Sequence, residues 1–173
     1  MRYLDDIREY HQFEGPVLEI GSININGSAR EVFGELTPYV GIDIVPGPGV
    51  DHVVDIRDAI DPDTHYYLTH KFRTIVCTEV LEHVPPETLI PAFWQFIHDE
   101  CKVVITCATV MRKPHSADGS PDVKPGEYYK NVNMHQLHAL LNDTPSHIRC
   151  VRSNITWNPE KTDLYAYAEY KVI

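Results

Sequence analysis

The chain has 173 residues, 43% of them hydrophobic, and a formal charge of -10 at neutral pH, a size that supplies one domain with a substantial core and not two. No run approaches the roughly 20 apolar residues of a membrane span, so no membrane partner is expected. The negative charge repels polyanions; the short basic stretch at 111–115 reads as a solvated loop, and nucleic acid is set aside as a substrate.

In chain order, residues 1–14 place Leu4, Ile7 and Tyr10 at helical spacing and stop before Gly15-Pro16, which reads as a leading helix. Its acidic residues (Asp5, Asp6, Glu9, Glu14) are wrong for a signal peptide. Four cysteines without a CxxC pair read as reduced thiols; both features set the expectation of a cytoplasmic protein. Residues 16–21 form an apolar run ending in glycine, then a loop rich in asparagine and a helix from Ser28. Strands are expected over 39–44 and 50–55, each with an aspartate at or beside its tip, separated by the turn Pro46-Gly47-Pro48-Gly49. A helix over 63–70 and a buried strand over 72–77 follow. After Pro85-Pro86, the apolar residues Leu89, Ile90, Phe93, Trp94, Phe96 and Ile97 mark a helix. Strand five is read at 102–107. Residues 109–132, with three prolines, two glycines and no periodicity, read as a long functional loop, a candidate substrate lid. Asn133 caps a helix, with Gln136 three residues on. Extended segments over 147–153 and 162–172 close the chain, the second alternating like a half-buried strand. The sum is an α/β fold with an open sheet whose ligand lies at the strand carboxyl ends.

Chemistry concentrates at those ends. In Glu19-Ile20-Gly21-Ser22-Ile23-Asn24-Ile25-Asn26-Gly27-Ser28, Gly21 and Gly27 permit close backbone approach and Asn26 tolerates a left-handed turn, so the loop can wrap a ligand. Glu19 is an acid where a core position calls for a hydrophobe. Asp43 can accept both hydroxyl protons of a ribose, which suits S-adenosyl-L-methionine or a nicotinamide dinucleotide alike. Asp55 with Ile56 offers an adenine ring a polar contact and an apolar wall, or Asp55 is a helix N-cap.

The segments Val17-Leu18-Glu19-Ile20-Gly21-Ser22, Tyr39-Val40-Gly41-Ile42-Asp43-Ile44 and Thr78-Glu79-Val80-Leu81-Glu82-His83-Val84, in that order, resemble the motifs of class I S-adenosylmethionine-dependent methyltransferases, in particular the type 11 group. The resemblance spans about residues 16 to 141. It implies a Rossmann-like, mostly parallel seven-stranded sheet with an antiparallel terminal strand and helices on both faces. It also assigns cofactor contacts to Glu19, Gly21, Ser22 and Gly27 around the methionine part, Asp43 at the ribose, Asp55 and Ile56 at adenine, and Thr78 and Glu79 beside the methyl-transfer site. The middle glycine of the first motif is missing, and residues 127–132 match a late family segment only at Glu127 and Tyr129. No DPPY or NPPF tetrapeptide follows strand four, which agrees with a small-molecule acceptor. Where the nucleophile must lose a proton, His83, His115 and Tyr129 are the candidate bases; each also has a packing or solvated alternative. Glu79, Glu82 and His83 have an E-x-x-E-H spacing that some relatives use for a divalent ion, yet those relatives' additional histidine has no counterpart at 126–132, and the expectation is no metal. His135 and His138 share a helix face without a third donor. A nicotinamide-dependent oxidoreductase fits less well, lacking G-x-G-x-x-G and carrying Glu19; a non-catalytic cofactor-binding module is the remaining alternative.

Overall fold

The computed structural model describes residues 2–58, 68 and 70–173; of the helix expected over 63–70, only residues 68 and 70 fall within that range. The sheet grows outward from β1 (Val17–Ile20), which pairs in parallel with β2 (Tyr39–Asp43) on one side and β4 (Phe72–Thr78) on the other. β3 (His52–Val53) extends the first side and β5 (Ile97–Ala108) the second, both in parallel. β7 (Asp163–Val172) then runs antiparallel to β5 and to the edge strand β6 (Ile148–Trp157). The order is therefore β3-β2-β1-β4-β5-β7-β6. The order in which successive strands are added reverses between the parallel neighbours β1 and β4, the place where the connections leave in opposite senses and a crevice opens at the strand carboxyl ends.

Strand alternation divides the core into two layers. Leu18 and Ile20 of β1 join Ile42, Ile75 and Cys77 beneath α3 (Pro86–Phe93) and α4 (Met134–Asn142), which contribute Leu89, Ile90, Phe93, Leu137 and Leu141. Val17 points the other way, into a cluster with Leu4 and Ile7 of α1 (Arg2–Tyr10) and Phe33 of α2 (Arg30–Phe33). All four β1 side chains are buried, so the strand is held by packing on both faces, at about 1.5–3 kcal/mol for each large apolar side chain. Glu19 shares Val17's parity and so enters the same side as α2, as the one acid of this strand.

Several elements differ from expectation for identifiable reasons. β5 begins at Ile97 rather than at 102, because its polar start is paired: Glu100 faces Lys171 in register, with Nζ 3.3 Å from the carboxylate. β7 buries Leu164, Ala166, Ala168 and Tyr170 on one face as expected, but its second face is partly covered as well: α1 and the residue after it lie over it, with Tyr3 stacked on Tyr165 at 4.3 Å and His11 on Tyr167 at 4.0 Å. β3 is shorter than read and α2 begins at Arg30 rather than at Ser28, although Val54 N–H still donates to the Asp43 carbonyl at 2.8 Å. The Asn133 cap is present, its side chain accepting from Gln136 N–H at 2.8 Å. Cys77, Cys101 and Cys107 are buried thiols and Cys150 is partly buried; all four are free. Among the described residues no helix is long and apolar enough to cross a membrane.

Candidate active site

A cavity of about 1050 Å³ occupies the crevice, walled by the loop after β1, the tips of β2 and β4 and part of the 109–132 segment. The loop after β1 is tied onto β2: Gly21 and Ser22 N–H both donate to the Ile42 carbonyl (2.9 and 3.0 Å), Ile23 N–H to Asp43 Oδ2 (3.2 Å) and Asn24 N–H to the Pro48 carbonyl (2.8 Å). Gly21 has φ of 76°, and a Cβ there would stand 2.2 Å from Val80 Cγ2. Only glycine satisfies both demands. The second left-handed position is Gly27, at φ 118°, and not Asn26; Gly27 N–H is held by Asn24 Oδ1 at 3.0 Å.

Glu19 is 1% exposed. Its Oε1 accepts from Ala29 N–H at 3.2 Å and its Oε2 from the Tyr39 hydroxyl at 2.8 Å, so the carboxylate clasps the far end of the glycine loop to β2. Burial pushes its pKa up to about 7, against the opposing pull of those two donors. Asp43 anchors Ile23 and Val45 N–H (3.2 and 3.1 Å) and borders the cavity. A carboxylate has about four acceptor sites, so capacity remains for a ligand. Asp55 is engaged by Arg57, whose Nε lies 2.9 and 3.1 Å from its two oxygens and whose N–H donates at 2.9 Å; this pairing holds the carboxyl below its usual range. Ile56 is buried behind it and faces the cavity. Thr78 and Glu79 line the wall at the end of β4. Glu79 adopts φ of 56°, uncommon for a residue with a side chain, and its Oε1 accepts from the Thr106 hydroxyl at 2.8 Å. Ser22 does not reach the cavity: its buried hydroxyl lies against Gly41 and makes no hydrogen bond.

The three candidate bases come together. His83, His115 and Tyr129 pack edge-on, with ring centroids 5.0, 5.1 and 5.3 Å apart. The two imidazoles face the cavity, whereas Tyr129 stands behind them. Burial, reinforced by His115, pushes the His83 pKa down to about 4, and burial with the nearby Glu82 pushes Tyr129 up to about 12. Beneath this cluster Glu82 is fully buried.

Sequence reasoning missed Arg112, Asp163 and Thr106. Arg112, taken for part of a solvated basic loop, pairs with Asp163 and stands 3.7 Å from Glu79. Thr106 was hidden in an apolar strand, where a hydroxyl beside the end of β4 was the available signal. Ile44 and Val45 were also missed as cavity residues; they are 62% and 47% exposed just past Asp43, an apolar surface on the cavity wall.

Taken with the crevice at its switch point, the seven-stranded order with antiparallel β7 is the class I S-adenosylmethionine-dependent methyltransferase fold. The chain is similar to Burkholderia thailandensis 1,6-didemethyltoxoflavin-N1-methyltransferase, solved with 1,6-didemethyltoxoflavin and S-adenosylhomocysteine, with TM-score 0.63 and 12% identity over 99% of this chain and 77% of that one. It is also similar to magnesium protoporphyrin IX methyltransferase from Synechocystis PCC 6803 (TM-score 0.59, 12% identity, 99% and 83% covered). A third is the N-methyltransferase NodS from Bradyrhizobium japonicum (TM-score 0.55, 14% identity, 99% and 83% covered). Both were solved with S-adenosylhomocysteine. No family model matches the sequence, and no curated protein matches it.

Proposed function

We propose that this chain binds S-adenosyl-L-methionine in the crevice and transfers its methyl group to a small-molecule acceptor. The observation that carries the reading is the convergence on one cavity of the Gly21–Gly27 loop, Asp43 and Glu79 at three adjacent strand ends. The remaining acceptor capacity of Asp43 suits a ribose diol. The exposed apolar surface of Ile44 and Val45, with Ile56, suits an adenine face. Asp55 and Asp163 in the wall are paired with Arg57 and Arg112, while Asp43 and Glu79 supply the carboxylates that favour a sulfonium cation.

A cavity of about 1050 Å³ lies at the upper end of the range for ligand sites, roughly 300–1,000 Å³, which leaves space for an acceptor beside the cofactor. That acceptor sits under the 109–132 loop, near His83, His115 and Tyr128. Methyl transfer to a nucleophile is an in-line displacement at carbon, so most of the catalytic effect comes from alignment. His83 or His115 is available to take a proton where the nucleophile carries one. The neighbours named above include small-molecule methyltransferases, which supports this substrate class over a polymer.

The test is thermal unfolding with adenosylmethionine, its demethylated product, or reduced nicotinamide dinucleotide. A ligand at 100 times its dissociation constant adds about 2.7 kcal/mol, which for a chain of this size raises the Tm by roughly 5–10 °C. The adenosyl ligands are expected to do so; stabilisation by the nicotinamide alone would overturn the proposal.

A further inference from the structure

The Glu82 carboxylate presents an unsolved problem within the fold. It is fully buried, and neither oxygen has a hydrogen-bond partner. An unpartnered buried carboxylate is among the most costly groups a protein can hold. The Glu79 carboxylate lies nearby and adds a like charge to the cost of burial. Two more nitrogen donors are directed at the same place. His83 Nδ1 is buried without a partner. His115 Nδ1 lies 3.3 Å from the Lys113 carbonyl, and in the tautomer that donates there the lone pair of Nε2 is left free.

From these donors we propose that Glu82, His83 and His115 form a site for one divalent transition-metal cation of borderline softness, such as zinc, manganese or ferrous iron, in the wall of the cavity. Their ligand atoms lie within 4.8 Å of one another. An ion about 2.1 Å from each donor spaces donors at most about 4.2 Å apart, so binding draws the widest pair inward. Two imidazoles and one carboxylate select zinc, manganese or iron over magnesium and calcium, which prefer all-oxygen shells. The set differs from the E-x-x-E-H spacing of the sequence: Glu79 is occupied by Thr106 and Arg112, and the third ligand comes from residue 115, outside the 126–132 stretch. Because His83 and His115 also face the cavity, a cation held there has open positions on that side. One consequence rests on the methyl-transfer reading: the ion would hold an oxygen of the acceptor and ease loss of its proton.

The experiment is titration of the full chain, stripped with chelator, with cobalt(II) followed by visible absorption and with zinc followed by calorimetry; magnesium and calcium are the controls. One equivalent of cobalt or zinc is expected, with d–d bands of a nitrogen and oxygen site. H115A and E82Q should each weaken binding at least tenfold, and the double variant H135A/H138A should bind as the wild type does. If E82Q fails to fold, H115A on the surface loop still decides. Absence of binding at millimolar metal, or binding that H115A leaves unchanged, overturns the site. Adenosylmethionine binding measured on the same samples is a separate readout: cation binding lost in H115A supports this site whether or not the cofactor binds, and cofactor binding without cation binding refutes the site alone.

Discussion

Replacing Glu19 with glutamine tests whether the carboxyl beneath the glycine loop carries a proton across the ordinary working range of pH. In the folded chain burial raises its pKa from the ordinary 4.5 to about 7. Between those two values the folded state binds more protons than the unfolded state, so stability falls as pH rises. The favourable contribution is fully present below about pH 4.5 and is lost as pH passes about 7. One pKa unit corresponds to 1.36 kcal/mol, which makes the swing for this group about 3 kcal/mol in the ligand-free protein. Glutamine keeps the shape, can accept from Ala29 N–H and can donate to the Tyr39 oxygen, but it does not titrate. Urea unfolding of wild type and E19Q at a series of pH values across that window isolates the term, because every other group is common to both proteins. The wild type should lose about 3 kcal/mol relative to E19Q from the acid to the neutral end. A difference between the two that stays constant with pH would refute the account of Glu19 as a buried, proton-holding clasp.

Other substitutions address the cavity and the core. Asp43→Ala should weaken adenosylmethionine binding by about 2 kcal/mol, roughly 30-fold, measured by calorimetry on a protein whose circular dichroism is unchanged. Gly21→Ala places a methyl group on Val80 at a left-handed position, so equilibrium unfolding should show a loss of at least about 1 kcal/mol; an unaltered midpoint would mean that the loop relaxes freely. The Tyr170 hydroxyl donates to the Leu141 carbonyl at 2.8 Å in a buried setting, and Tyr170→Phe should cost about 1–3 kcal/mol in urea unfolding by leaving that carbonyl unpaired.

Where one local pattern decided an element, the sequence was readable. The apolar run before Gly21, the Asn133 cap and the acid at the tip of β2 each rest on a local rule, and all three stand in the structure. Contacts between distant segments were not visible. The burial of the second face of β7 depends on Tyr3 and His11 from the chain start, and the early beginning of β5 on its pairing with β7. Glu19 could be recognised as anomalous, but that it clasps Ala29 and Tyr39 depends on where the loop returns. The 109–132 loop shows the same limit. Its irregularity was plain, whereas its folding was not: Ser116 is fully buried and its hydroxyl donates to Glu127 at 2.8 Å, and Gly119 packs against Ile25 of the glycine loop. The two loops thus form one wall, although the sequence offers them as separate features. His83, His115 and Tyr129 were picked one by one for their chemistry; that they would touch required the fold.

Isothermal titration of the purified chain with S-adenosyl-L-methionine, paired with Asp43→Ala and with a reduced nicotinamide control, bears most directly on the central proposal. One equivalent should bind, the demethylated product should compete for the same site, Asp43→Ala should bind roughly 30-fold more weakly, and the nicotinamide should give no heat. No binding of either adenosyl ligand to the folded wild type, or binding that Asp43→Ala leaves untouched, would contradict the assignment of the crevice as an adenosylmethionine site.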